Sequence, residues 1–495
     1  MSTAKKFAGQ TAIYGFSTIV QRLLSSLLTP LYTSAYRPSV YGIFSTMFSY
    51  ASILNAILAF GMETTFFRYL NKDTANKKQV YNNGFWVVFM LSIIFLFLTL
   101  PFTHTIAGLI KIGKDTPQNE FELFIKYFIG ILVLDAWCVI PFAKLRADGR
   151  PMRYGVVKLV NIAVMVSLNL VFIFGIPYCI AHNLPGAVWF KQWFVHGWIV
   201  YVFLSNLVAS FITFLMLLPE LLELRIKFDG PMFKDMLIYS WPILIANLSY
   251  IINENLDKIL LGKLLLVNIS EHDVGVYSGC AKISIFLSIF IQAFRLGAEP
   301  FFFSHAKNKN SGQTYARIMN YFVITVCLIF VAVTANIQIL KYYVNNRSYW
   351  VGLDVVPPLL FGYVSLGIYM NLSVWYKLSD QTKYGLYISG VGAILTIVIN
   401  VLFIPNYSYM ASAWASLIAY TAMMVLSYVW GQKNYPIPYD IKKNLAYIIS
   451  SILIVFLSFY IFKRNIFAGN ALLIGYALIM FYFERKDLKA IFSKR

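Results

Sequence analysis

Runs of about 20 mostly apolar residues, the length that crosses a bilayer as a helix, recur along the whole chain and are separated by short polar stretches. Six fill the first half: 10–35, 41–66, 80–103, 121–142, 154–177 and 197–218. Eight follow: 236–262, 274–302, 316–340, 354–376, 385–404, 410–430, 444–462 and 467–483. The pattern predicts an all-α membrane protein with about fourteen transmembrane helices.

The polar residues inside these runs are not scattered. In the first, Thr11, Thr18, Arg22, Ser25, Thr29, Thr33 and Tyr36 fall at steps of three, four or seven, one stripe of an α-helix. In the eighth, Ser288, Gln292, Arg295 and Glu299 repeat the pattern, with Lys282 on nearly the same side. The seventh carries Asn247, Tyr250, Glu254 and Asp257, and Asp135 lies deep in the fourth. A charge in hydrocarbon costs a few kcal/mol even on permissive scales, so such stripes face protein or a wet cavity. Arg22, Ser25, Thr29, Lys282, Gln292 and Arg295 are the candidate cavity residues. Glu63, Asp135, Glu254, Asp257 and Glu299 are the candidates for gating or ion coupling. For Arg295, an internal ion pair with Glu299 or Glu254 and a substrate contact both stay open. Lys126 and Lys158 lie near helix ends and read as snorkelling.

The chain also repeats itself. Gly42-Ile43-Phe44-Ser45 and Gly61-Met62-Glu63 bracket the second segment; Gly275-Val276-Tyr277-Ser278 and Gly297-Ala298-Glu299 bracket the eighth. An even number of segments separates the copies, so the halves share one orientation. The expectation is two parallel six-helix lobes around a central cavity, residues 1–225 and 226–435, with two further helices and a tail at 436–495.

Composition agrees: hydrophobic residues make up 59% of the 495 and charged residues 13%, against about a quarter charged in soluble domains. The net charge of +20 sits in patches such as Lys144, Arg146, Arg150 and Arg153. These patches fall on alternate connections with a bias of about threefold, which predicts both termini in the cytoplasm of a bacterial inner-membrane protein. The excess charge therefore reads as topology and lipid contact, not nucleic-acid binding. Lys5 and Lys6 precede a polar-dotted stretch of helical length, read as a retained first helix. Four separate cysteines make neither a disulfide framework nor a metal site. No cofactor motif is present, no loop is long enough for a catalytic domain, and the five histidines stand apart from any nucleophile motif; an enzyme is not expected.

Thr29-Pro30-Leu31-Tyr32-Thr33, Tyr41-Gly42, Gly61-Met62-Glu63 with Arg68-Tyr69, then Asp257-Lys258, Val274 to Ser278 and Pro300-Phe301-Phe302, resemble the two lobes of Wzx-type polysaccharide flippases of the multidrug/oligosaccharidyl-lipid/polysaccharide exporter superfamily. The resemblance runs from near residue 7 to about 430 by order and spacing. It implies alternating access and, as cargo, an undecaprenyl-diphosphate-linked oligosaccharide repeat unit carried to the periplasmic leaflet for O-antigen or capsule synthesis. The lipid bilayer and this polyprenyl-diphosphate-linked oligosaccharide are the implied partners, with a polysaccharide polymerase or assembly protein downstream. Arg22 matches by type and placement the central arginines that meet a diphosphate in the lipid II flippases, and Arg295 is a looser match.

Two rivals stay in view: a multidrug or cation exporter of the same superfamily, which calls for acidic, aromatic cavity walls, and a lipid II flippase, several of whose arginines lack counterparts here. Arg22→Ala is expected to abolish transport with membrane insertion intact, and Arg22→Lys to retain part of it. Complementation of a transport-deficient strain, with the amount of inserted protein measured by immunoblot, checks this; normal transport by Arg22→Ala removes the first helix from the cavity.

Overall fold

The computed structural model describes residue 20 and residues 23–70, 76–114, 116–225, 229–305, 310–379 and 381–492. Arg22, with Thr11 and Thr18 of the same stripe, lies outside the described residues. Among the described residues the chain is helical, with no strand. Twelve helices there are long and apolar enough to cross a membrane. With the helix over 23–35 and the shorter apolar helix Val200–Met216, they account for every segment that the apolar pattern predicts.

Local chemistry sets where these helices begin. Pro38 and Pro151 stand in first turns, where a missing N–H costs nothing. The Asn76 Oδ1 accepts from the backbone N–H groups of Lys78 and Gln79 at 3.2 and 3.4 Å. Asp229 and Asp440 cap two later helices, each accepting from the N–H three residues on at 3.1 Å.

The second and eighth segments are each broken, where the sequence pattern reads them as continuous. Pro38–Ala59 stops at Phe60, whose left-handed backbone (φ 48°) returns its N–H to the carbonyls of Ala56 and Ile57. Gly61 follows at φ 66°, and Met62–Leu70 then resumes. A Cβ at Gly61 would stand 2.9 Å from the Ile243 Cγ2, so the turn needs glycine for space as well as for its backbone. The eighth segment breaks elsewhere, at a 3-10 turn over Lys282–Ser284 between Ser270–Ala281 and Ile285–His305. Gly297 stays within the helix. The stretches 104–120 and 178–196, expected as loops, contain the short helices Thr103–Ile110 and Ala187–Trp193.

Contacts divide the chain into two compact units, Met1–Gly275 and Val276–Arg495. In the first, Pro38–Ala59 packs on Gln118–Ala147 and on Gly230–Leu264. Phe48 and Phe203 meet Phe128 edge-on at 5.0 Å in its interior. In the second, Tyr409–Asn434 packs on Val356–Leu372 and on Lys383–Tyr407. There the buried Trp375 donates to the Ser427 carbonyl at 3.1 Å, and Ser412 donates to the Asn400 Oδ1 at 2.7 Å. The last two helices, Ile441–Phe456 and Ile466–Phe492, pack on Ser311–Ala335. Asn336 and Asn470 join them through reciprocal amide bonds of 3.2 and 3.1 Å.

A close helix approach in the first unit brings Pro38–Ala59 against the start of Ser270–Ala281. A Cβ at Gly42 would lie 2.0 Å from the Glu271 carbonyl oxygen, and one at Gly275 would lie 1.7 Å from that of Pro38. Main chain meets main chain there, which only small residues allow in a membrane. Gly42→Ala or Gly275→Ala forces the helices apart; overpacking of this kind costs about 1–3 kcal/mol. The expected outcome is a thermal unfolding temperature lower by several degrees in detergent, with Gly475→Ala unchanged because nothing lies within 4 Å of the added methyl. Equal unfolding temperatures for all three variants and the parent contradict the close crossing.

Candidate functional site: a polar cavity in the first unit

Four helices of the first unit each contribute one stripe to a cavity of about 630 Å³. Pro38–Ala59 supplies Phe48, Ser52 and Asn55; Gln118–Ala147 supplies Phe128, Asp135, Phe142 and Arg146. Pro151–Leu170 supplies Tyr154, Lys158, Asn161 and Met165, at steps of four, three and four; Val200–Met216 supplies Asn206, Ser210 and Thr213. Each set returns to one helical face. Ser25 closes one side, and Ile251 reaches it from Gly230–Leu264.

The polar groups are partly paired with one another. The Ser210 hydroxyl donates to the Asp135 Oδ1 at 2.7 Å. Asn161 donates to the Thr213 hydroxyl at 2.9 Å, which donates in turn to the Ala209 carbonyl at 2.8 Å. Asn206 donates one amide hydrogen to the Val202 carbonyl at 2.8 Å. Arg146 forms an ion pair with Glu63 at one end of the cavity. Its guanidinium also stands 5.8 Å from the ring centre of Tyr154.

Lys158 differs. Its ammonium lies over the Phe142 ring, 4.3 Å from the centroid. Asp135 is near enough to act on it electrostatically, yet among the described residues Lys158 forms no ion pair and no hydrogen bond. Lys158 therefore lines the cavity, where snorkelling was the expectation. Depth along a helix does not say which way a lysine faces; the companion positions Tyr154, Asn161 and Met165 carry that signal. Lys126 is half-exposed and paired with Glu122 at 2.8 Å.

Of the sequence candidates, Ser25, Glu63 and Asp135 come together in this cavity. Thr29 is buried and does not line the cavity; its carbonyl accepts from the Thr33 hydroxyl at 2.9 Å. Asp257 is buried and held by Lys258, whose ammonium and backbone N–H reach it at 3.0 and 2.8 Å. Lys258 also donates to the Glu254 carbonyl at 3.0 Å. In the second unit, Arg295 borders a cleft of about 10 Å³ with Asn371 and Lys377, room for about one water. Lys282 and Gln292 are half-buried. The Glu299 side chain lies outside the described residues. Missed by the sequence analysis are the amides and hydroxyls of Pro151–Leu170 and Val200–Met216, which share faces as clearly as those of the first segment. Among the described residues no three His, Cys, Asp or Glu side chains converge as a metal site.

Among solved structures, a lipid II flippase MurJ in an inward closed conformation is similar over 95% of this chain and 99% of its own, with a TM-score of 0.71 and 12% identity. An inward-facing MATE family multidrug resistance transporter of the MOP superfamily is similar over 83% and 94%, at 0.65 and 14%. A MOP superfamily transporter from Pyrococcus furiosus, described as having a binding pocket of reversed polarity, is similar over 86% and 95%, at 0.59 and 14%. At these identities the likeness is one of fold. No curated protein matches the sequence. The MatE family model matches residues 242–402. The model described as polysaccharide biosynthesis protein matches residues 8–304, more than half of the chain, and the chain belongs to that family.

Proposed function

We propose that this protein is a flippase that moves a polyprenyl-diphosphate-linked oligosaccharide repeat unit from the cytoplasmic to the periplasmic leaflet of a bacterial inner membrane by alternating access. The observation that carries the reading is the polar cavity among membrane-spanning helices, furnished with amides, hydroxyls and the ammonium of Lys158, which among the described residues has no ion pair or hydrogen bond. A sugar headgroup cannot cross hydrocarbon without losing its hydrogen bonds to water, and each unmet polar group costs on the order of several kcal/mol. A cavity of this lining replaces those bonds while the polyprenyl chain stays in lipid. Family membership and the fold it shares with a lipid II flippase support the same reading.

The assignments that follow belong to this proposal. Arg22 and Arg295 meet the diphosphate, as guanidinium forks suit phosphate oxygens. Glu63, locked to Arg146, acts as a gate at the cytoplasmic end. The lobes are 1–225 and 226–435, with 436–495 appended. A polysaccharide polymerase or assembly protein receives the product, and both termini lie in the cytoplasm.

In cells lacking this protein, complete lipid-linked repeat units are expected to accumulate several-fold, shielded from a membrane-impermeant lectin or glycosidase until the membrane is opened. Repeat units exposed outside but unpolymerised would shift the assignment to a downstream enzyme. Unchanged lipid-linked sugars with altered drug sensitivity would shift it to a drug exporter.

A further inference from the structure

The charges on the cavity wall are unevenly satisfied. Arg146 has Glu63, and Asp135 has the Ser210 hydroxyl. Lys158 has the face of Phe142 and, among the described residues, no anion bonded to it. A cation on a membrane-spanning helix calls for an anion or water at its head. Its surroundings narrow which anion. Asp135 shares the cavity and repels any anion placed beside Lys158, so a multiply charged diphosphate meets more repulsion there than a single carboxylate, for which the one ammonium is the better match.

The remaining wall suits a sugar ring. Among the described residues, Asn161 and Asn206 each use one amide hydrogen within the protein. Each keeps further donor and acceptor capacity, the combination that a pair of neighbouring hydroxyls requires. The flat rings of Phe142 and Tyr154 border the same space, and an aromatic face accepts the apolar C–H side of a pyranose. The volume of about 630 Å³ falls within the roughly 300–1,000 Å³ of small-molecule sites.

We propose that this cavity is the glycan subsite, that it takes an oligosaccharide carrying a carboxylate-bearing sugar, and that Lys158 is the residue that selects the acid. The physiological role rests on the flippase reading; the binding does not. The purified full-length chain in lipid nanodiscs is titrated calorimetrically with a glucuronic-acid-terminated disaccharide, with its neutral parent cellobiose and with inorganic pyrophosphate. The acid is expected to bind at least about tenfold tighter than cellobiose. Lys158→Met should erase that preference by weakening the acid alone, and Lys158→Arg should keep it.

Equal affinities for the two sugars on the unaltered chain, or no binding of either, overturn the proposal, and this comparison stands whether or not the Met variant folds. A Lys158→Met chain that still prefers the acid overturns it too. So does one that loses pyrophosphate while keeping the acid, since the ammonium then serves the carrier's diphosphate. A chain that binds the acid as expected but does not relieve the lipid-linked accumulation sinks the flippase reading and leaves the subsite standing.

Discussion

Hydrocarbon offers no hydrogen bonds, and that constraint governs this molecule at every level. It makes the backbone helical, since a helix closes its own N–H and C=O groups. It also decides which faces of the helices look at each other. Ser52 and Asn55, then Asp135 and Arg146, then Lys158 and Asn161, then Asn206, Ser210 and Thr213 converge on one space because lipid cannot receive them. Conversely Phe97, Leu98, Phe467 and Phe483 are well exposed and lie on apolar helices, where acyl chains are the natural neighbours.

Much of this was legible in the sequence, for physical reasons that also mark where legibility ends. Segment number and order follow from hydropathy alone, because length and apolarity are summed over many residues and tolerate local exceptions. The breaks at Phe60–Gly61 and Lys282–Ser284 do not, because each depends on one or two residues and on what packs against them. Gly61 reads as a repeat marker; that it also avoids Ile243 is tertiary information. The stripe of the first segment stood out because its polar residues are many. Those around Lys158 and Ser210 are diluted by Val, Leu and Met, so the same period carried less weight. The capping roles of Asn76, Asp229 and Asp440 are of the local kind that sequence does show.

The basic patches have a second use beyond setting topology. Arg153 reaches the buried Glu220 at 2.9 Å, Lys144 pairs with Glu223, and Arg146 pairs with Glu63. Near them the Tyr81 hydroxyl donates to the Glu220 carbonyl at 2.8 Å, and the Asn83 amide donates to the Asp229 carbonyl at 3.1 Å. The segment following Val200–Met216 is thereby stitched to the start of Lys77–Thr99. A half-buried ion pair contributes little net stability unless its partners are held, since desolvation offsets much of the attraction. What these pairs add is position, because a charge deprived of its partner there is costly.

The crossing of Pro38–Ala59 with Ser270–Ala281 rests on side chains that are not there. The Cβ that Gly42 or Gly275 would carry points at the main chain of the other's helix, so no change of rotamer can make room for it. A residue larger than glycine at either position has to displace a backbone. The two glycines therefore act as one constraint, which substitution of a neighbouring side chain cannot relieve.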